Sequence, residues 1–376
     1  MSTTTVTPVE AVRLVDPYPY YARLVATRPF AHDSALGAWV AADAAAVRAV
    51  LGSGALRVRP VAEPVPAGIV GTPAGKVFGD LVRMTDGAVT ARLKAVVSEA
   101  LVGCDTARAG ELAARFTREV LARGGEVSYE ELMFAVPARV VAALSGLTDG
   151  ADVEAARAIG DFVGCIPAGA TPEQQRAAAT AAARLRELLG PGLDRAADGL
   201  LGELVRAADR AGWEELGPLL SNAVGFLSQT YDATAGLVGN TLVALARGAS
   251  VPEGPEGTAA LVREVVRYDA PIQNTRRFAA EPFTHGGLTV EAGEQVLVVL
   301  AAANRDPAVN PDPHTLTPGR VNPTVFTFGA SAHRCPGAQL AGALAAAVVT
   351  ELRTAGLSTS ATPAYRPLAN ARIPLL

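Results

Sequence analysis

The residue best placed to do chemistry is Cys335, in the run Phe328-Gly329-Ala330-Ser331-Ala332-His333-Arg334-Cys335-Pro336-Gly337. An extended stretch, Val321 to Phe326, precedes it, and an alanine-rich helix is expected from Ala338 to Arg353. A helix N-terminus and cationic neighbours favour the thiolate, which is a good soft metal ligand. The other two cysteines, Cys104 and Cys165, are remote, so zinc-ribbon and iron–sulfur sites are excluded. A lone cysteine is ordinarily a small buried hydrophobe, and only its surroundings separate the two readings. Asp232 is the second candidate. It stands mid-way along an otherwise apolar helix spanning Leu216 to Arg247. Burying an acid is costly, so Asp232 is either satisfied and partly solvated or kept to move protons. Glu264 and Arg267, three apart on a helix, can pair, though the spacing alone is common on solvated faces.

The elements that must position these groups are mostly helical. The chain has 376 residues, 49% hydrophobic and only 5% aromatic, enough for a sizeable core. Its formal net charge of -4 argues against general nucleic-acid binding. Three widely spaced cysteines form no disulfide framework and suit a reducing cytoplasm. The first eight residues lack a signal-peptide pattern, and no apolar run predicts a membrane span. Ala38–Ala41 reads as a strand and Ala42–Leu51 as a helix. Residues 58–80, with Pro60, Pro64, Pro66 and Pro73, are expected to be a substrate-facing loop without a long helix. Asp86 is expected to cap a helix whose buried face is Leu93, Val96 and Val97. Val136-Pro137 marks a break, Glu173–Leu189 a helix, and Ala259–Asp269 the helix of Glu264 and Arg267. Leu288–Val290 and Gln295–Val299, joined through Ala292-Gly293, read as a hairpin.

The cysteine run resembles the haem-binding loop of the cytochrome P450 family, Phe-Gly-x-Gly-x-His-x-Cys-x-Gly, departing from it only at Ser331. The resemblance extends to Glu264-x-x-Arg267, to Asn304-Arg305-Asp306-Pro307 and to Arg320, fifteen residues before Cys335. It implies a mainly α fold with small β-sheets, one cytochrome P450-like domain over 1–376. It makes Cys335 the axial ligand of haem b, with Phe328 in the cofactor loop. Arg277 and His333 would bind propionates; Lys94 falls where the family has Arg, and Arg92 is a neighbouring substitute. Glu264, Arg267 and Arg320 would be the structural triad, with Leu316-Thr317 replacing the family's Phe-Asp.

On the long helix the family pattern Ala/Gly-Gly-x-Asp/Glu-Thr-Thr falls on Gln229, Thr230, Tyr231, Asp232, Ala233 and Thr234. The resemblance makes Asp232 the proton relay and Thr234 a second donor. Gln229, Thr230 and Ala233 would line the distal pocket. Ala233 lacks the hydroxyl the family uses, and Gln229 places an amide where the family keeps small residues. The implied function is a monooxygenase acting on a small molecule of specialised metabolism, with electrons from a ferredoxin and its reductase. Aromatic coupling, peroxide-driven oxidation and nitrogen-oxide chemistry are alternatives. A non-catalytic helper or carrier-binding domain is the reading from another class.

Overall fold

A computed structural model describes residues 6–167, 169–194 and 197–376. Contacts divide the chain into two compact units. The first comprises 1–61, 236–335 and 356–376; the second comprises 62–235 and 336–355.

The first unit is built on a five-stranded sheet ordered β1-β2-β7-β4-β3. Its strands are β1 (Phe30–Asp33), β2 (Ala38–Ala41), β3 (Leu56–Arg57), β4 (Thr275–Ala279) and β7 (Gln295–Val298). A separate pair is formed by β5 (Phe283–His285) and β6 (Leu288–Val290). Strand β7 is central, parallel to β2 and antiparallel to β4. Its apolar run fits that place, because both faces are covered. Val296 and Val298 join a core with Phe30, Val47, Leu51 and Phe326. Leu297 and Val299 join another with Tyr18, Tyr21, Leu24 and Ala270. Alternation along the strand sends successive side chains to opposite faces.

The expected hairpin between 288–290 and 295–299 does not form. Strand β6 pairs instead with β5, turning through Gly286 and Gly287 at φ 57 and 79. Two adjacent residues with positive φ suit a two-residue hairpin turn whose twist matches its strands. Strand β7 is drawn away by its partners in the larger sheet. The stretch 321–326 is not a strand either. Side chains pin its backbone: Thr324 N donates to Asn310 Oδ1 (3.0 Å), and Phe326 N donates to Asn304 Oδ1 (2.6 Å).

A second group of polar contacts fastens the chain's N- and C-terminal regions within this unit. The fully buried Arg372 donates to Asp269 (2.8 Å) and to the carbonyls of Val12 (2.9 Å), Leu14 (2.6 Å) and Val15 (2.9 Å). Tyr18 Oη also donates to Asp269 (2.9 Å), and Asn240 donates to the carbonyls of Asp269 (2.9 Å) and Arg372 (3.1 Å). Burial, then the Asp269 charge, pushes the Tyr18 phenol well above its ordinary range.

The second unit is helical. Ala338–Thr354 packs along Thr106–Ala122, joined by Arg118–Glu351 at 2.6 Å. Pro172–Leu189 packs on Ala151–Val163, where Arg184 forks onto Glu154 at 2.7 and 3.1 Å. Before Pro137 the helix widens into a π turn over Glu131–Ala135, where Val136 N donates to Glu131 O. The expected long loop contains a helix, Pro73–Asp80. Pro73 occupies its first turn, where no N–H is needed, and Thr72 caps it. Asp86 is not a cap: Gly87, at φ 103, precedes Ala88–Val102. Leu93, Val96 and Val97 form that helix's buried face, as expected.

Arg372→Met should lower stability by about 3–5 kcal/mol, because it strands a buried Asp269 carboxylate. A denaturant midpoint unchanged from the parent would show that the clamp does not hold the unit together.

Candidate functional site

The cysteine loop hangs from the Gly257–Tyr268 helix. On that helix Glu264 and Arg267 are 3% and 0% exposed. Arg267 Nε and Nη2 donate to the two Glu264 oxygens at 3.1 and 2.6 Å. Its remaining donors reach the carbonyls of Asn304 (3.3 Å), Pro313 (2.8 Å) and Thr315 (3.1 Å). Glu264 Oε1 also accepts from Arg320 Nε (3.2 Å) and Thr317 N (3.0 Å). Thr317, at the position of the family's Asp, joins through its backbone. Arg320 donates further to the carbonyls of Pro311 (2.6 Å) and Thr315 (2.9 Å).

One residue before Arg267, the Val266 carbonyl accepts from Thr327 Oγ1 (2.6 Å), which in turn accepts from Asn304 Nδ2 (2.7 Å). Thr327 leads directly into the loop. There Gly329 N donates to Phe326 O and Cys335 N to Phe328 O, both at 2.7 Å. Gly329 has φ 69, and a Cβ on it would lie 3.2 Å from the His333 carbonyl, so both backbone conformation and space favour glycine. Ser331 also has positive φ, 54, in a conformation that costs a non-glycine residue about 1 kcal/mol. The family's glycine at this place therefore has a backbone reason. Ser331–His333 form a short 3-10 turn, and Cys335 is exposed. Phe328 and His333 are half-buried in the same unit. There Arg277, only 5% exposed on β4, gives Nη1 to the Arg276 carbonyl (2.8 Å).

The long helix runs from Leu216 to Ala246. Within the second unit, Thr230 Oγ1 donates to Phe226 O (2.7 Å) and Gln229 Nε2 to Gly225 O (3.1 Å). Both side chains thus turn back on their own helix. Gln229 is exposed, while Thr230, Asp232 and Ala233 are half-buried. Thr234 is fully buried, and its hydroxyl has no hydrogen-bond partner among the described residues.

Arg83 was not singled out in the sequence. Burial lowers the pKa of its guanidinium, and the nearby Asp232 carboxylate opposes that shift. A strap positions it. Asp80 accepts from Ser221 Oγ (2.7 Å), and the Asp80 carbonyl accepts from Asn222 Nδ2 (2.9 Å). Val82 N donates to Asn222 Oδ1 (3.1 Å). Leu81 lies so close to Gly225 that a Cβ there would meet it at 2.8 Å. Residues 222, 225, 229 and 232 recur every three or four places, so the strap follows one stripe of the helix. Its only sequence signal is an arginine shortly before the Ala88–Val102 helix.

Lys94 and Arg92, two apart on that helix, cannot share a face. Lys94 is half-buried. Arg92 is exposed, with Nη2 3.5 Å from the Ala211 and Gly212 carbonyls and its guanidinium 5.8 Å from the Trp213 ring centre. Among the described residues no cluster of three or more His, Cys, Asp or Glu could hold a metal, so Cys335 is a single-thiolate candidate. Nor is any described helix long and apolar enough to cross a membrane.

Comparison with known proteins agrees with this architecture. The family model described as Cytochrome P450 matches residues 257–352. A vitamin D(3) 25-hydroxylase of Pseudonocardia autotrophica is 37% identical over 153 residues, 38% of this chain and 37% of that protein. The 6-deoxyerythronolide B hydroxylase of Saccharopolyspora erythraea is 36% identical over 149 residues, 38% of this chain and 37% of that protein. The aligned stretches thus span little more than a third of either relative. The crystal structure of CalO2 superposes with a TM-score of 0.82 at 26% identity, covering 98% of this chain and 97% of its own. A predominantly helical fold, a buried glutamate–arginine pair and a single-cysteine loop stand together in this architecture. Residues 257–352 match the cytochrome P450 family, and the fold of the chain is cytochrome P450-like.

Ser331→Gly should raise stability by about 1 kcal/mol by relieving the positive φ. Chemical denaturation measures it. An equal or lower midpoint would mean that the Ser331 hydroxyl offsets its strain.

Proposed function

We propose that the chain works as one domain, a haem-thiolate monooxygenase that oxidises a small organic molecule of specialised metabolism in the cytoplasm. The observation that carries this reading is an exposed Cys335 on a loop tied, through Thr327, to the helix of a buried Glu264–Arg267 pair. Hydroxylases among its relatives support it. The residues fit haem b. Cys335 offers one thiolate without a competing ligand cluster among the described residues. Arg277, His333 and Lys94 are the candidates for its propionates. When bound, the haem supplies thiolate-supported activation of dioxygen.

The chain's own groups do the rest. Arg277 offers a fork to a carboxylate and Lys94 a point charge. Arg92, turned toward Trp213, is the weaker candidate. Glu264, Arg267 and Arg320 hold the loop and take no part in the chemistry. Asp232 relays a proton, with Arg83 compensating its charge. Thr234, whose buried hydroxyl is unsatisfied among the described residues, is the second donor. Gln229, Thr230 and Ala233 line the substrate side. Electrons come from a separate ferredoxin and its reductase. Ala233, which has no hydroxyl, favours a second reading in which peroxide replaces dioxygen and the electron donors.

Turnover of a panel of small apolar compounds, with ferredoxin and reductase and then with peroxide, tests both readings. The expected product is heavier by one oxygen atom. Asp232→Asn should slow the ferredoxin-supported reaction by about 100-fold and leave the peroxide reaction largely unchanged. Absence of product under either condition would contradict the proposal.

A further inference from the structure

Gly160 lies inside the Ala151–Val163 helix, where a glycine weakens the helix unless something needs the room. Tyr231 of the long helix takes that room. A Cβ on Gly160 would lie 2.8 Å from the Tyr231 hydroxyl oxygen and 3.4 Å from its Cζ. Phe134 is the second contact. Its ring centre lies 4.9 Å from that of Tyr231, with the two planes inclined at 47°. Phe134 is buried and is presented by the π turn Glu131–Ala135. That turn and the Val136–Leu144 helix after it both pack on Ala151–Val163. The two contacts on Tyr231 therefore come from elements braced against each other.

A tyrosine side chain has only two torsions to fix. Tyr231 meets a helix backbone at its hydroxyl end and a second ring along its body, which leaves little freedom in either torsion. Fixing both fixes the Cα–Cβ direction, and with it the rotation of that turn of the long helix. Asp232 is the next residue, about 100° further round the helix. The 80–83 strap follows the stripe of residues 222, 225, 229 and 232. Tyr231 stands off that stripe, so the turn is held from a second direction.

We propose that Tyr231 is a positioning residue: gripped by Phe134 and Gly160, it sets the orientation in which Asp232 is presented. It takes no proton itself. The proposal rests on the proton-relay reading of Asp232 given above.

Gly160→Ala tests it in the haem-loaded, full-length protein. Alanine favours the helix it enters, and the three atoms nearest the added carbon all belong to Tyr231. Gly160→Ala and Tyr231→Leu should each slow the ferredoxin-supported reaction by roughly tenfold or more at unchanged KM, and leave the peroxide-supported rate near the parent's. Tyr231→Phe keeps the ring and should keep the parental rate. Combined with Gly160→Ala, it should recover most of the lost rate, because the atom at 2.8 Å is gone. Equal slowing of both reactions, or no recovery in the double variant, would overturn the proposal. Asp232→Asn separates two failures. If it slows the ferredoxin reaction while Gly160→Ala and Tyr231→Leu do not, the positioning role alone falls; if it does not, the relay reading falls and takes this proposal with it. Amide hydrogen exchange reads the grip without turnover. Gly160→Ala should speed exchange at residues 229–235, and unchanged exchange there would also overturn the proposal.

Discussion

Glu264 is a carboxylate removed from water and shared by two guanidinium groups, and the geometry around the cysteine loop follows from satisfying it. Isolated, such a charge would be prohibitively costly to bury. Here Arg267 makes five hydrogen bonds, two to Glu264 and three to backbone carbonyls. A guanidinium has five N–H donors in a fixed plane, so every acceptor is constrained by the others. Arg320 extends the same network to Pro311, Asp312 and Thr315. The segment leading toward Cys335 is therefore held by a rigid polar lattice. Thr327, bonded to Val266 on the same helix, passes that placement to the loop.

The long helix solves a related problem with a different partner. Asp232 interrupts an apolar helix, and Arg83 supplies the compensating charge from a strap laid along the 222–225–229 stripe. Placing a cation there keeps the acid tolerable without a hydroxyl at residue 233. The same turn leaves Thr234 buried with its hydroxyl unsatisfied among the described residues.

Legibility in the sequence followed the range of the interactions. The long helix, the helix of Glu264 and Arg267, and the buried face of Leu93, Val96 and Val97 were readable because helical periodicity is local. Arg320 was readable only through the family's spacing, since its contact with Glu264 joins residues 56 apart. The strand pairing was misread because β6 had two neighbours in sequence, and the glycine pair at 286–287 decided for β5. Helix Pro73–Asp80 was hidden because proline, read as a breaker, instead occupies the first turn, where it is tolerated. Arg83 depends on how the 80–83 stretch packs on the distant long helix, and no local pattern announces it.

The most direct test is an absorption spectrum of the purified protein, reduced and exposed to carbon monoxide. Cys335 as the iron ligand predicts a Soret band at the red-shifted position of thiolate-bound ferrous–CO haem, lost on Cys335→Ala. Folded protein without haem, or a haem spectrum indifferent to Cys335, would contradict the account.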